Sequence, residues 1–329
     1  MQSTPMRVLS GDIGGTKTRL AVIAVDGVRL CTEREQSYPS RDYAAFDELL
    51  GDFLRGSDVP ARATFGIAGP VQGRVVQTTN LPWRIDADAL QARFGFGLCN
   101  LLNDLEATAY ALPALAESDL LTLQAGAADA SGNAAVIAAG TGLGEAGLFW
   151  DGKQHHPFAT EGGHASFSPG DELEIAFLRH IQQQHRHVSW ERVVSGPGLV
   201  SLHEFLRLHR HAPAPLWLAE EMQGNDPAAS IAAAALSGRD EICVETLARF
   251  VCLYGAEAGN LALKVMSRGG LYLGGGIAPK ILPLLRDGAF LDTFLDKGRM
   301  RPLLEAMPVK VILNDRAALY GAALLAARR

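Results

Sequence analysis

Three glycine turns and a few isolated carboxylates are the groups in this sequence that could do chemistry. Gly11-Asp12-Ile13-Gly14-Gly15-Thr16 lies between two apolar runs, Met6–Leu9 and Arg19–Val25. A turn between two strands is neither a Walker A loop nor a Rossmann fingerprint, since both of those open a helix. Paired glycines still let backbone amides approach a phosphate closely. Asp12, at a strand end, could hold Mg²⁺ through water. Taken alone, an ordinary glycine hairpin explains the same residues. Gly140-Thr141-Gly142-Leu143-Gly144 follows the apolar run Ala134–Ala139 and repeats the arrangement. It could cradle the β- and γ-phosphates of a nucleotide from the other side. A third turn, Gly274-Gly275-Gly276, would let backbone pack against a flat ligand such as adenosine. Two phosphate-type turns at equivalent places weigh more than either one.

The carboxylates come next. Leu102-Asn103-Asp104 ends an apolar run with an acid, which is costly to bury unless it has a partner or a task. Phosphoryl transfer to an alcohol needs a carboxylate to accept the proton and orient the hydroxyl. Helix capping of Leu105–Leu112 explains Asn103 and Asp104 equally well. In Thr160-Glu161-Gly162-Gly163-His164, Glu161 and His164 could bracket a polyol with an acceptor and a donor. There is no HExxH motif and no third ligand near them, so a metal centre is not indicated. Glu191 precedes Ser195-Gly196-Pro197-Gly198; a lone Glu is usually a solvated charge.

The elements that must carry these groups follow from periodicity and turn residues. Strands are expected at Met6–Leu9, Arg19–Val25 and Arg29–Gln36, the last two joined at Gly27. A helix is expected at Tyr43–Leu54, a strand at Ala63–Ala68, and a helix at Ile85–Phe94 with Asp86 or Asp88 near its start. A strand at Cys99–Leu102 leads into helix Leu105–Leu112. The pattern restarts with strands at Ala134–Ala139 and Ala146–Trp150. Helix Ile242–Val265, strands Gly270–Leu273 and Val309–Leu313, and a terminal helix Ala317–Ala327 complete it. Two units, each opening strand–glycine turn–strand, imply a duplicated α/β fold with a cleft between halves. The expected small lobe is residues 1–114 with the C-terminal helix at about 315–329, and the large lobe is 115–314.

Composition narrows the class. A chain of 329 residues exceeds the usual single core. Hydrophobic residues at 48% suffice for two cores. A net charge of -6 without a basic stripe argues against nucleic-acid binding. Cys31, Cys99, Cys243 and Cys252 form no CxxC pair, so reduced thiols without structural zinc are expected. Met1–Ser10 has no apolar core of a signal peptide, and no run of 18 apolar residues occurs. A cytoplasmic protein is expected.

The ordered set of motifs resembles bacterial glucokinases. It comprises Gly11–Thr16, Phe65-Gly66-Ile67-Ala68-Gly69-Pro70, Thr79-Asn80-Leu81-Pro82-Trp83, Leu102-Asn103-Asp104, Gly140–Gly144, Glu161-Gly162-Gly163-His164, Glu191 with Ser195–Gly198, and Gly274–Gly276. The resemblance runs from about Gly11 to the C-terminus. It implies a two-lobed hexokinase/actin-like (ribonuclease H-like) α/β fold. It also implies Mg-ATP-dependent phosphorylation of glucose to glucose 6-phosphate, and a homodimer. Asp104 would be the general base. Asn103, Asp104, Glu161, His164 and Glu191 would surround the sugar. Gly11, Asp12, Ile13, Gly14, Gly15, Thr16, Gly140, Thr141 and Gly142 would bind the phosphates, with Gly274, Gly275 and Gly276 beside the nucleoside. The related repressor/kinase family carries a cysteine-rich zinc segment after its Glu-x-x-His region. This chain has no cysteine between Cys99 and Cys243, which separates it from that branch. Lys17-Thr18-Arg19 stands where many bacterial glucokinases have Asn-Ala-Arg. A filament-type ATPase of the same fold would have no use for Glu161 and His164. A sugar-sensing regulator would be expected to add a helix-turn-helix before the first strand.

Overall fold

The computed structural model describes residues 5–69, 71–78 and 81–328. Pro70, Thr79 and Asn80 of the quoted motifs lie outside the described residues, as do the first residues of Met1–Ser10. The chain divides into two compact units. The first takes the residues up to Leu120, His156–Ala159 and the residues from Asn314 on; the second takes Leu121–His155 and Thr160–Leu313.

In the first unit, β1 (Met6–Ile13), β2 (Lys17–Asp26), β3 (Arg29–Pro39) and β4 (Arg62–Ile67) share one sheet with β8 (Leu98–Asn103). The order is β3-β2-β1-β4-β8. A small antiparallel sheet is made of β5 (Val71–Gln72), β6 (Val75–Gln77) and β7 (Arg84–Asp86). β1 pairs antiparallel with β2 but parallel with β4, and β4 is parallel to β8. Ile85 pairs with Val76 and is buried in β7. The helix expected from Ile85 therefore starts at Ala87, with Asp86 as its N-cap accepting from the amides of Asp88 and Ala89. Helices Asp104–Ala111 and Ala317–Ala327 pack closely, and Gly321 permits it. A Cβ there would fall 1.7 Å from the Ala107 carbonyl oxygen.

A second large sheet is made of β9 (Leu120–Gln124), β10 (Ala134–Ala139), β11 (Leu143–Trp150), β12 (His155–Thr160), β13 (Gly270–Gly274) and β14 (Val309–Ile312), in the order β12-β11-β10-β13-β14-β9. β10 is buried at every position, as a central strand covered on both faces must be. It pairs antiparallel with β11 and parallel with β13, repeating the β2-β1-β4 arrangement. The long helix Glu241–Val265 supplies Leu247, Phe250, Tyr254 and Leu261 to the core. Four further helices, Glu172–Gln182, Gly196–His209, Leu216–Gly224 and Pro227–Leu236, occupy a stretch that periodicity left unassigned. Asp171, Ser195 and Asp226 cap three of them through their side chains.

Candidate active site

In the first unit the parallel register lines up strand ends. Ile13 pairs with Ile67, and Ile67 pairs with Asn103. The Gly14–Thr16 turn and Asn103-Asp104 thus leave the same edge of the sheet, the carboxyl edge where open α/β sheets bind ligands. The Gly14 amide donates to the Lys17 carbonyl at 3.0 Å. Ser40 Oγ donates to the Gly14 carbonyl at 2.8 Å and lies 2.9 Å from the buried Thr18 hydroxyl. The Ser40 amide donates to the Thr16 carbonyl at 2.9 Å. Thr18 therefore props the turn in a way an alanine at that position would not. Gly11 has a packing reason as well: a Cβ would meet Phe65 at 2.7 Å and Leu20 at 2.8 Å.

Burial raises the Asp12 carboxyl above its ordinary value, against the lowering pull of Arg19 and then Lys17. Arg19 stands opposite Asp12 in the β1–β2 ladder and is anchored on Asp315, with bonds of 3.0 Å to its carbonyl and 2.8 Å to its carboxylate. The half-buried Asp12 offers a hard carboxylate oxygen of the kind a hydrated Mg²⁺ accepts, while Arg19 and Lys17 beside it oppose the charge of the ion.

Asn103 is the N-cap of helix Asp104–Ala111. Its Oδ1 accepts from the amides of Leu105 at 2.9 Å and Glu106 at 3.4 Å. Its amide nitrogen donates to the Gly69 carbonyl at 3.3 Å. The cap is thus formed by Asn103. Asp104 occupies the first helical turn, and its Oδ1 accepts from the Leu105 amide at 2.9 Å.

In the second unit a cavity of about 910 Å³ opens beside β10 and β13. Gly140, Thr141, Glu191, Gly196, Gly276 and Lys280 are among its lining residues. The Gly140 amide donates to the Gly142 carbonyl, and the Gly196 amide to the Gly140 carbonyl, each at 2.8 Å. The glycine turn therefore abuts the N-terminus of helix Gly196–His209, whose first amides are taken by the Gly140 carbonyl and by Ser195, so that only the helix dipole is left there to favour an anion. Cβ atoms at Gly140 and Gly276 would meet nothing within 4 Å, so both leave open space. Gly275 differs: its φ is +79° and a Cβ would strike the Ala139 carbonyl oxygen at 2.5 Å. Gly274 is an ordinary core position, with Ala138 Cβ at 3.5 Å.

The Glu161–His164 segment forms a tight turn after β12. The His164 amide donates to the Glu161 carbonyl at 3.0 Å, and the Glu191 amide to the Gly163 carbonyl at 2.9 Å. His164 lies 3.8 Å from the Glu161 carboxylate and 3.9 Å from that of Glu191. The other Glu191 oxygen accepts from the Leu143 amide at 3.1 Å. Glu161 and His164, three residues apart, thus form one cluster with the distant Glu191, which joins it to the Gly140–Gly142 turn. Sequence reasoning missed Gln184, Asp226 and Lys280 along the cavity, which carry no motif. It also missed Glu145, an acid inside the apolar run of β11 that is 3% exposed.

A second cluster brings His203, Asp240 and Cys243 to within 4.8 Å of one another. Arg207 fills it, donating to His203 Nε2 at 3.1 Å and to Asp240 at 2.5 Å. Burial, then the Arg207 charge, pushes the His203 imidazole down to about 4. A guanidinium in that place makes it an ion-pair network and repels a metal ion. Among the described residues, no helix is long and apolar enough to cross a membrane.

Known proteins are similar to this chain along nearly its whole length. The family model for glucokinase matches residues 9–329. A glucokinase of Trichormus variabilis is 44% identical over 98% of this chain and 99% of its own length. The crystal structure of a glucokinase from an Antarctic psychrotroph superposes with a TM-score of 0.84 at 32% identity, covering 97% of this chain and 98% of that one. Two more distant structures speak for the fold alone. The Balamuthia mandrillaris glucokinase, in complex with glucose, gives 0.82 at 23% identity over 98% of this chain and 94% of its own. A ROK-family glucokinase of Streptomyces griseus, with glucose and AMPPNP, gives 0.65 at 22% over 97% and 99%. With the two-unit sugar-kinase fold and a family match across nearly its whole length, the chain belongs to the glucokinase family.

Proposed function

We propose that this protein transfers the γ-phosphoryl group of ATP to the 6-hydroxyl of glucose, with Asp104 as the general base. The observation that carries the proposal is Glu191. One of its oxygens holds the Leu143 amide of a glycine turn, and the other faces His164. A hydroxyl-reading cluster and a phosphate-type turn in contact are what a sugar kinase requires. Glu161 and Glu191 accept from sugar hydroxyls, His164 donates, and Asn103 holds the helix that presents Asp104. Gly11–Thr16 and Gly140–Gly142 bind the phosphates through backbone amides, and Gly276 leaves room beside the nucleoside. Asp12 would hold Mg²⁺, and the ion, bound with ATP, would neutralise charge developing on the phosphates. Asp104 accepts the proton of the attacking hydroxyl, so that nucleophile and base act in one direct transfer. The family resemblance further implies a homodimer working in the cytoplasm.

A coupled assay across hexoses and phosphoryl donors tests the reaction, and two variants test the site. Glu161→Gln and His164→Ala should raise the glucose KM. Losing a charge-assisted acceptor costs about 1–3 kcal/mol, roughly five- to 150-fold. The ATP KM should move little. Unchanged glucose kinetics in both variants would remove these residues from the sugar site.

A further inference from the structure

Glu145 stands in β11 opposite Ile137. Its carboxyl lies directly under the sugar-site turn: a Cβ at Gly162 would fall 1.9 Å from its Oε2 and 2.8 Å from its Cδ. The Glu145 carbonyl accepts from the Thr160 hydroxyl at 3.0 Å, and that same hydroxyl oxygen accepts from the Gly162 amide at 3.2 Å. Behind Glu145 runs helix Glu241–Val265, which brings Glu257, itself fully buried, against it. Asn260 donates to Glu257 at 2.8 Å, and Lys264 pairs with it at 3.3 Å. Among the described residues Oε1 of Glu145 is buried without a hydrogen-bond partner. The Lys264 ammonium is paired with Glu257. A second buried anion would go uncompensated.

We infer that Glu145 is a positioning residue for sugar binding. As a neutral acid bonded to Glu257 it fills the space beneath Gly162 and fixes the turn bearing Glu161 and His164. Loss of its proton loosens that turn and weakens the hold on glucose. The inference rests on Glu161 and His164 being sugar ligands.

The surroundings set the pH at which this happens. From the helix, Glu257, Lys264 and the Tyr254 hydroxyl face Glu145; Lys297, bonded to the Ala256 carbonyl, faces Glu257. From the turn come the Thr160 hydroxyl and, farther out, the exposed Glu161 and His164. Burial above all, then the like charge of Glu257, pushes the Glu145 carboxyl up to about 8, with Lys264 pulling the other way. Above that pH the competent fraction falls about tenfold per unit, and the glucose KM rises in proportion.

The test follows glucose and ATP kinetics from about pH 6 to about pH 10, with amide exchange of residues 160–165 in the same range, taken at each pH relative to the base-catalysed rate of an open chain. In the wild type, glucose KM and turn exchange should both climb on the alkaline side, while ATP KM stays level. Glu145→Gln, neutral and of the same shape, should keep the neutral-pH KM within about twofold and abolish both rises. Glu257→Gln removes the like charge and should move both rises to lower pH, which serves if Glu145→Gln does not fold. An alkaline rise that persists in Glu145→Gln, or does not move in Glu257→Gln, would overturn the inference. So would turn exchange that ignores pH in the wild type. If Glu161→Gln and His164→Ala leave glucose KM unchanged, the sugar-site assignment falls by itself, and the exchange profile still decides whether Glu145 holds the turn.

Discussion

Gly142→Ala is the sharpest test of the link between the glycine turn and Glu191. A Cβ at this position would lie 2.5 Å from Glu191 Oε2 and 3.3 Å from its Cδ. Ordinary contact begins near 3.5 Å, so the carboxylate must swing away by about 1 Å. Glu191 is long and its side chain is 34% exposed, so it moves while the backbone stays. The movement breaks its bond from the Leu143 amide, 3.1 Å in the native protein, and displaces the oxygen facing His164 at 3.9 Å. A hydrogen bond to a charged group contributes about 1.5–3 kcal/mol. The expected loss is therefore about 10- to 150-fold in kcat/KM for glucose, with a melting temperature within a few degrees of native. Steady-state kinetics should be run in the native and Glu191→Ala backgrounds. Because the new methyl acts through Glu191, Gly142→Ala should cost almost nothing once Glu191 is gone. An equal loss in both backgrounds, or none in the native one, would refute the reasoning.

Other outcomes follow from the same geometry. Asp104→Asn keeps the Asn103 cap and an acceptor for the Leu105 amide, so it should fold normally while kcat falls roughly two to four orders of magnitude; near-native turnover would remove Asp104 as base. Gly140→Ala meets no atom of the protein within 4 Å, so it should melt like the native chain yet raise the ATP KM if phosphate approaches that backbone; an unchanged ATP KM would place the phosphates elsewhere. Chelator-treated protein should hold no zinc, because Arg207 occupies the His203–Asp240–Cys243 cluster. One tightly held zinc per chain by elemental analysis would show that the guanidinium yields to metal.

Local chemistry made much of this protein readable from its sequence. Glycine turns between apolar runs, Asn103 and Asp86 at helix starts, and the strictly apolar Ala134–Ala139 all act over a few residues. The backbone conformations and caps they impose do not depend on what lies across the fold. The duplicated strand–turn–strand unit was legible for that reason, and so was the roster of residues with chemistry to offer. Short-range pattern failed at Ile85, where pairing with Val76 drew a residue of helical spacing into a strand. It was silent on the four helices of residues 172–236, whose order emerges from packing against one core. The tertiary structure alone decided which polar groups meet. Glu145 and Glu257 are 112 positions apart, and only the packing of β11 on helix Glu241–Val265 brings them together beneath Gly162. The same holds for Glu191 against Leu143 and for Arg207 inside what would otherwise resemble a metal site. Side-chain encounters across the core depend on sheet order and helix packing. Those are set by burial of the whole apolar surface, a non-directional force that leaves no mark at any single position in the sequence.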